Sequence, residues 1–221
     1  MSRTFRGVVF DLDGVLWDGE PLYHEAFNVV LGPYGHHVSD EDYTHIIGLS
    51  VEAAWEWVFE RYGLQERPDV FYRAYNEAVL ELMKQPREPL PGVRELLSQL
   101  KARDIPVGLA SASLRNWVDM TLIGLGLNGA FATTATASEV ERSKPAPDLY
   151  LLAAKGLGVP PERCLAFEDT PSGIASAQSA GMFAVQVRTS STALPPLPEA
   201  DLVIEQYGDL DLALLDQDLG Q

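Results

Sequence analysis

The chain has a single cysteine, Cys164, among 221 residues, so no disulfide can form within it and a reducing compartment is expected. Basic residues are also scarce. Against 32 Asp and Glu stand 16 Lys and Arg, for a formal net charge of −16. Such a chain lacks the basic face that nucleic acid or an anionic membrane requires, so neither is expected as a partner. No apolar run approaches the ~18 residues needed to span a bilayer. The opening "MSRTFRGVVFDLDG" passes into a strand pattern without the apolar stretch of a secretory signal, and the expected compartment is the cytoplasm. Internal repeats are absent, and nothing in the sequence demands more than a monomer.

What is present is an ordinary globular composition, 46% hydrophobic, in a chain long enough for one good core plus a small insertion. Residues 6–10 form a continuous apolar run, as in a parallel strand covered on both faces. Residues 17–88 then contain no convincing strand. "PLYHEAFNVVLGPYG", "SDEDYTHIIG", "SVEAAWEWVFERYG" and "PDVFYRAYNEAVLELMKQ" all have helical character, with starts at Ser39, Ser50 and Pro68 and stops at Gly35, Gly48 and Gly63. From residue 89 helices alternate with strands at 105–110, 131–135, 164–168, 183–187 and 201–204. This alternation predicts a doubly wound parallel-sheet α/β core, Rossmann-type, made of residues 1–16 and 89–221, with residues 17–88 as an inserted α-helical cap domain.

The strand ends carry the chemistry. In "VVFDLDGVLWDG", Asp11 and Asp13 lie two residues apart and share a face just past the first strand. "VGLASAS" delivers Ser111, Ala112 and Ser113, "LAFEDT" delivers Glu168 and Asp169, and "ERSKPAPD" sets Lys144 before a helix start. Ligand sites of open α/β sheets lie beyond the carboxyl ends of the strands, where all of these would converge. The set suits phosphoryl transfer. Asp11, Glu168 and Asp169 offer hard oxygens for Mg²⁺. The metal and the Lys144 ammonium would offset the repulsion between a carboxylate and a phosphate dianion. Asp11 can then attack phosphorus and form an aspartyl-phosphate, while Asp13 protonates the leaving oxygen and later deprotonates water. Gly14 permits a sharp turn beside the phosphate, and Ser111 with nearby backbone N–H groups can bind its oxygens. Arg115 and Asn116 follow closely and could take a distal phosphate or a sugar hydroxyl.

In order and spacing, "FDLDGVL", "VGLASAS", "RSKPAPD" and "FEDTPSGIASAQSAGM" resemble the four motifs of the haloacid dehalogenase-like (HAD) superfamily, and the resemblance covers essentially the whole chain. It implies an α/β core with a mobile cap, Mg²⁺ dependence, Asp11 as nucleophile and the main-chain carbonyl of Asp13 as a metal ligand. Dehalogenases and phosphonate-cleaving relatives lack a second aspartate, so Asp13 points to phosphate esters. "DGEPLYHEAF" is similar to the "DSEPL" stretch of the β-phosphoglucomutase and sugar-phosphatase branch, with Gly19 where Ser or Thr is common. In the mutases of that branch, a histidine matching His24 helps to align the general acid.

The expected activity is hydrolysis of a small phosphorylated metabolite, such as a sugar phosphate. The alternative is a β-phosphoglucomutase-like phosphomutase. A mutase must hold a second phosphate, yet residues 7–60 contain no Lys or Arg, and Ile47 and Val51 stand in "IIGLSVEAA" where cap cations would be expected. A non-catalytic binding module is a further alternative, one that would not need both Asp11 and Asp13. His36, His37 and His45 show no ligand spacing and read as surface or packing residues. Trp55, Trp57, Val58 and Phe59 read as cap core, Cys164 as a packing residue, and the acidic tail "GDLDLALLDQDLG" as a short terminal helix or frayed end.

Overall fold

The computed structural model describes residues 5–47, 49–65, 67–190 and 194–215. The chain divides into two compact units, residues 1–18 with 86–221, and residues 19–85. Among the described residues the larger unit holds six strands: β1 (Gly7–Phe10), β2 (Val107–Ser111), β3 (Thr133–Thr136), β4 (Cys164–Glu168), β5 (Phe183–Val187) and β6 (Leu202–Ile204). All neighbours are parallel, in the order β3-β2-β1-β4-β5-β6. The chain steps outward from β1 to β3, then returns to the other side of β1 and steps outward again. Strand order therefore reverses between β1 and β4, which is where an open α/β sheet forms its ligand crevice.

The two faces of the sheet differ in side-chain size. Alternation along each strand sends Val9, Ala110, Ala135, Ala166 and Ala184 to one face, where they join one buried cluster with Leu149, Ala153, Ala154, Ile174 and Ala177. Those last five belong to the helices α7 (Asp148–Leu157) and α8 (Pro171–Ser179). Small residues on both sides let helix and sheet approach closely. A Cβ on Gly108 would sit 3.1 Å from Thr133 and 3.4 Å from Leu157. On the opposite face Phe10 stacks on Phe167 with centroids 4.8 Å apart, and Phe131 and Tyr207 pack against Phe10. The same unit contains the helices α5 (Val93–Ala102) and α6 (Arg115–Gly124), and α5 buries Val93, Leu96 and Leu100.

The smaller unit is helical: α1 (Glu20–Leu31), α2 (Asp40–Tyr43), α3 (Val51–Tyr62) and α4 (Pro68–Met83). The Ser39 and Ser50 side chains accept from the amides of Asp42 and Ala53 and so cap α2 and α3. Gly63 ends α3 in the left-handed conformation at φ 65°. The core is aromatic, with Phe27 at 4.9 Å from Trp55 and 4.5 Å from Tyr75, and Trp55 at 5.2 Å from Phe71.

Several sequence expectations need adjustment. "SDEDYTHIIG" is helical over four residues, Asp40–Tyr43, and continues as turns; Gly48 lies outside the described residues. Gly35 closes a 3₁₀ turn at Gly32–Tyr34, because α1 already ends at Leu31. Trp55 and Val58 are in the core, whereas Trp57 is half-buried and stacks on His45 at 5.4 Å. They are separated because three-residue steps along a helix share a face and a two-residue step does not. The tail forms 3₁₀ turns at Tyr207–Asp209 and Leu212–Leu215, and residues 216–221 lie outside the description.

Cys164 opens β4 with no exposed surface, and burial pushes its thiol up to about 12, with the Glu162 charge adding to the effect. The folded protein should therefore resist iodoacetamide at pH 8 over hours, while the same protein in denaturant is alkylated rapidly. Mass spectrometry of the two samples tests this, and alkylation at equal rates would contradict the burial.

Candidate active site

The site is assembled where β1 and β4 end side by side. Register pairs Phe10 with Phe167, and the Asp11 amide donates to the Phe167 carbonyl at 3.0 Å. Strand alternation carries the small-residue face of Val9 and Ala166 onward to Asp11 and Glu168. Both carboxylates are therefore directed to the side covered by α7 and α8, and Lys144, four residues before α7, meets them there. Its Nζ donates to Asp11 Oδ1 at 2.5 Å and to Glu168 Oε1 at 2.6 Å. All three side chains are enclosed, with relative exposures of 7% for Lys144, 11% for Asp11 and 0% for Glu168.

Glu168 is bonded on both edges. Oε1 also accepts from the Tyr150 hydroxyl at 2.6 Å, and Oε2 accepts from the Asp169 amide at 3.2 Å and Thr170 Oγ1 at 3.4 Å. The α8 backbone presses against this carboxylate: a Cβ on Gly173 would overlap it. Thr170 caps α8, its Oγ1 accepting from the Gly173 amide at 3.1 Å. Gly14 plays the matching part for Asp169. It holds φ +74°, and a Cβ there would overlap the Asp169 carboxylate.

The electrostatics follow from one ammonium facing several carboxylates. Burial pushes Asp11 up to about 7 against the pull of Lys144, with the Glu168 charge adding to the rise. Burial, then the charges of Asp11 and Glu168, push Asp169 up to about 8. Burial alone would lower the Lys144 ammonium, but Asp11 and Glu168 outweigh it and hold it above the ordinary lysine range. Burial, with the Glu168 charge, keeps the Tyr150 phenol protonated far above its usual range.

This donor set fits a divalent cation. Asp11, Glu168 and Asp169 can each present one carboxylate oxygen with all three atoms within 4.8 Å of one another. Asp169 Oδ1 is buried with no hydrogen-bond partner among the described residues, which is costly for a polar atom that nothing compensates. Hard oxygens in a small cluster of negative charge suit a small hard ion.

Ser111 is buried at the end of β2, and its Oγ accepts from the Ser113 amide at 3.1 Å. Ser113 Oγ donates to Asp13 Oδ2 at 3.2 Å, tying the loop after β2 to the loop after β1. Ala112 is exposed on this loop, and Asn116 is exposed in the first turn of α6. Arg115 is directed elsewhere. Its guanidinium donates to Thr134 Oγ1 at 2.5 Å, to the Thr134 carbonyl at 2.8 Å and to Glu139, and it pairs with Asp119 at 3.5 Å. The cation that could take a distal phosphate or a sugar hydroxyl is here bonded to β3 and the turn that follows it. His24 lies in the helical unit, stacked on Tyr43 at 4.3 Å with Nε2 at 2.7 Å from the Val38 carbonyl.

Tyr150 was not among the expected site residues, nor were Thr170 and Gly173. The available signal was position: Tyr150 falls on the apolar stripe of α7 six residues after Lys144, where an amphipathic residue buried to its tip needs a polar partner.

Fold and acidic cluster together are those of an α/β phosphoryl-transfer enzyme with an inserted helical segment. Residues 5–181 match the family model described as haloacid dehalogenase-like hydrolase. The chain is 36% identical over 191 residues to the fructose-1-phosphate phosphatase YqaB of Escherichia coli, covering 85% of this chain and 99% of that protein. It is 33% identical over 223 residues to the β-phosphoglucomutase of Bacillus subtilis, covering 98% and 96%. The crystal structure of CbbY from Rhodobacter sphaeroides in complex with phosphate superimposes with a TM-score of 0.79 at 27% identity, covering 96% of this chain and 99% of that one. The protein belongs to the haloacid dehalogenase-like hydrolase family.

Replacing Gly14 by alanine should cost ~1–3 kcal/mol of stability for the left-handed backbone. It should also displace Asp169 and so reduce turnover by ~10–100-fold, the usual range for disturbing the support of a metal ligand. A urea melt and a rate measurement on Gly14→Ala check both parts. Unchanged turnover would show that the contact with Asp169 is dispensable.

Proposed function

We propose that the protein is a Mg²⁺-dependent phosphatase of a small phosphorylated sugar or similar monoester, working through an aspartyl-phosphate as a cytoplasmic monomer. The observation that carries this reading is the buried Asp11–Lys144–Glu168 bridge with the partnerless Asp169 oxygen beside it. Asp11 and Asp169, with Glu168 and the main-chain carbonyl of Asp13, would hold the ion, whose charge would offset that of the substrate phosphate. Two of the three Lys144 N–H groups are used by Asp11 and Glu168, which leaves one for a phosphate oxygen. The Ser111 hydroxyl and the Ala112 amide would take the others.

An Asp11 carboxylate oxygen attacks phosphorus, and the bond from phosphorus to the ester oxygen breaks. Asp13 gives its proton to that oxygen, so the leaving group departs as a neutral alcohol. Ser113, bonded to Asp13 Oδ2, would orient this carboxyl group. Water then attacks phosphorus while Asp13 takes back a proton, and inorganic phosphate and free Asp11 are restored.

The mutase reading is favoured by the extensive similarity to the Bacillus subtilis β-phosphoglucomutase. Two features support hydrolysis instead. Residues 7–60 carry no Lys or Arg, and Arg61, the next cation, pairs with Asp42 at 2.9 Å. Arg115, the cation nearest in sequence to Ser111, is held by Thr134, Glu139 and Asp119. The similarity to a protein named for fructose 1-phosphate supports a phosphorylated sugar as substrate.

Phosphate release should be measured on a panel of sugar monophosphates with Mg²⁺ and with EDTA, for wild type and Asp11→Asn. We expect Mg²⁺-dependent release that falls by more than about three orders of magnitude in Asp11→Asn, as for loss of a nucleophile. Release unaffected by that substitution would refute the aspartyl-phosphate. Conversion of β-glucose 1-phosphate to glucose 6-phosphate with little free phosphate would establish the mutase.

A further inference from the structure

Glu168 is fully enclosed, and its four hydrogen bonds come from three places: Lys144, the turn that leads into α8, and α7. Both edges of this carboxylate accept hydrogen bonds, and the longest, 3.4 Å from Thr170, falls on Oε2. The α7 contribution is the unusual one. Leu149, Ala153 and Ala154 make that helix face apolar, and a phenylalanine at position 150 would fill the same ring space. Packing therefore does not require the hydroxyl. Its oxygen lies 2.6 Å from Glu168 Oε1, the atom that also anchors Lys144, and the Lys144 Nζ stands 5.3 Å from the Tyr150 ring centroid.

We propose that Tyr150 is a positioning residue whose hydroxyl fixes the rotation of the Glu168 carboxylate. With Tyr150 in place, Oε1 holds Lys144 against Asp11 and the Oε2 edge is kept on the side of Asp169. Without it, the carboxylate can turn about its last bond, and the separation of Lys144 from the metal-facing oxygens is lost. The inference rests on the proposed cation site, not on the identity of the substrate. Hydrogen bonds of this supporting kind are typically worth ~10–100-fold in metal affinity.

The test uses the full chain stripped of metal, as wild type, Tyr150→Phe and Leu149→Ala, each titrated with MgCl₂ by calorimetry without substrate. Thermal melts are run on the same metal-free samples, and the Mg²⁺ dependence of turnover is measured separately. Tyr150→Phe should bind Mg²⁺ at least ~10-fold more weakly and need correspondingly more Mg²⁺ for half-maximal rate, with a nearly unchanged melting temperature. Leu149→Ala removes buried volume next door and none of the hydrogen bonds to Glu168, so it should lower the melting temperature and leave Mg²⁺ affinity unchanged.

Wild-type Mg²⁺ affinity in Tyr150→Phe, or equal weakening in both variants, would overturn the proposal in favour of simple packing. A wild type that turns over monoesters without binding a divalent cation would overturn it too, leaving the phosphatase activity but not its Mg²⁺ dependence. A wild type that binds Mg²⁺ and responds to Tyr150→Phe, yet hydrolyses no monoester, would sustain this inference and remove the phosphatase.

Discussion

A single buried ammonium between two buried carboxylates is the interaction on which the rest of the larger unit depends. Lys144 bridges Asp11 and Glu168 where none of the three has much access to water. Removing one partner from such a set typically costs ~3–5 kcal/mol, because the remaining charges stay buried without compensation. The bridge joins three segments that are far apart in sequence: the end of β1, the loop before α7 and the end of β4. It also leaves the site short of positive charge. Asp169 lies beside the bridge with a buried oxygen that no described group satisfies, and burial drives its carboxyl upward as well as that of Asp11. Such an excess of buried carboxylate over ammonium suits a cation.

The packing of the sheet makes this arrangement possible. Glycine and alanine on one face allow α7 and α8 to lie close to the strands, and that closeness brings Tyr150 to Glu168 and seats Gly173 against the same carboxylate. The aromatic face carries bulk instead, with Phe10 stacked on Phe167 beneath the two strand ends. The division is functional as well as structural. Large side chains on the α7 and α8 side would hold the helices away and leave the carboxylates wet. In water their mutual repulsion and their pull on Lys144 would be screened to a small fraction of the buried value.

Around this centre the neighbouring loops are tied down by groups that do not themselves react. Arg115 joins the start of α6 to β3 through Thr134 and Glu139, and Glu139 in turn accepts from the Thr136 amide and hydroxyl. Arg115 thereby ties the helix start that follows Ser111 and Ser113 to β3 and the turn after it. The helical unit is built differently, around interlocking aromatic rings, and its longest cation-free stretch covers most of α1 to α3.

Much of this was legible from local pattern. Apolar runs of four or five residues marked the strands, their alternation with helices marked a parallel sheet, and carboxylates at consecutive strand ends pointed to one rim. The serine caps at Ser39 and Ser50 were legible for the same reason, since a cap is a contact between residues three apart. What depended on tertiary structure was the partner of each long side chain. Arg115 can reach solvent or β3 equally well from its helix start, and the register of β2 with β3 decides that it meets Thr134. Tyr150 looks like any apolar helix residue until α7 settles onto a face of alanines and its hydroxyl arrives at Glu168. The sequence by itself determined which residues end the strands, because strand and helix periodicity are local properties of the backbone. The three-dimensional fold alone decided which donors fill Glu168 and which oxygen of Asp169 is left bare, because hydrogen-bond partners across more than a few residues are chosen by packing.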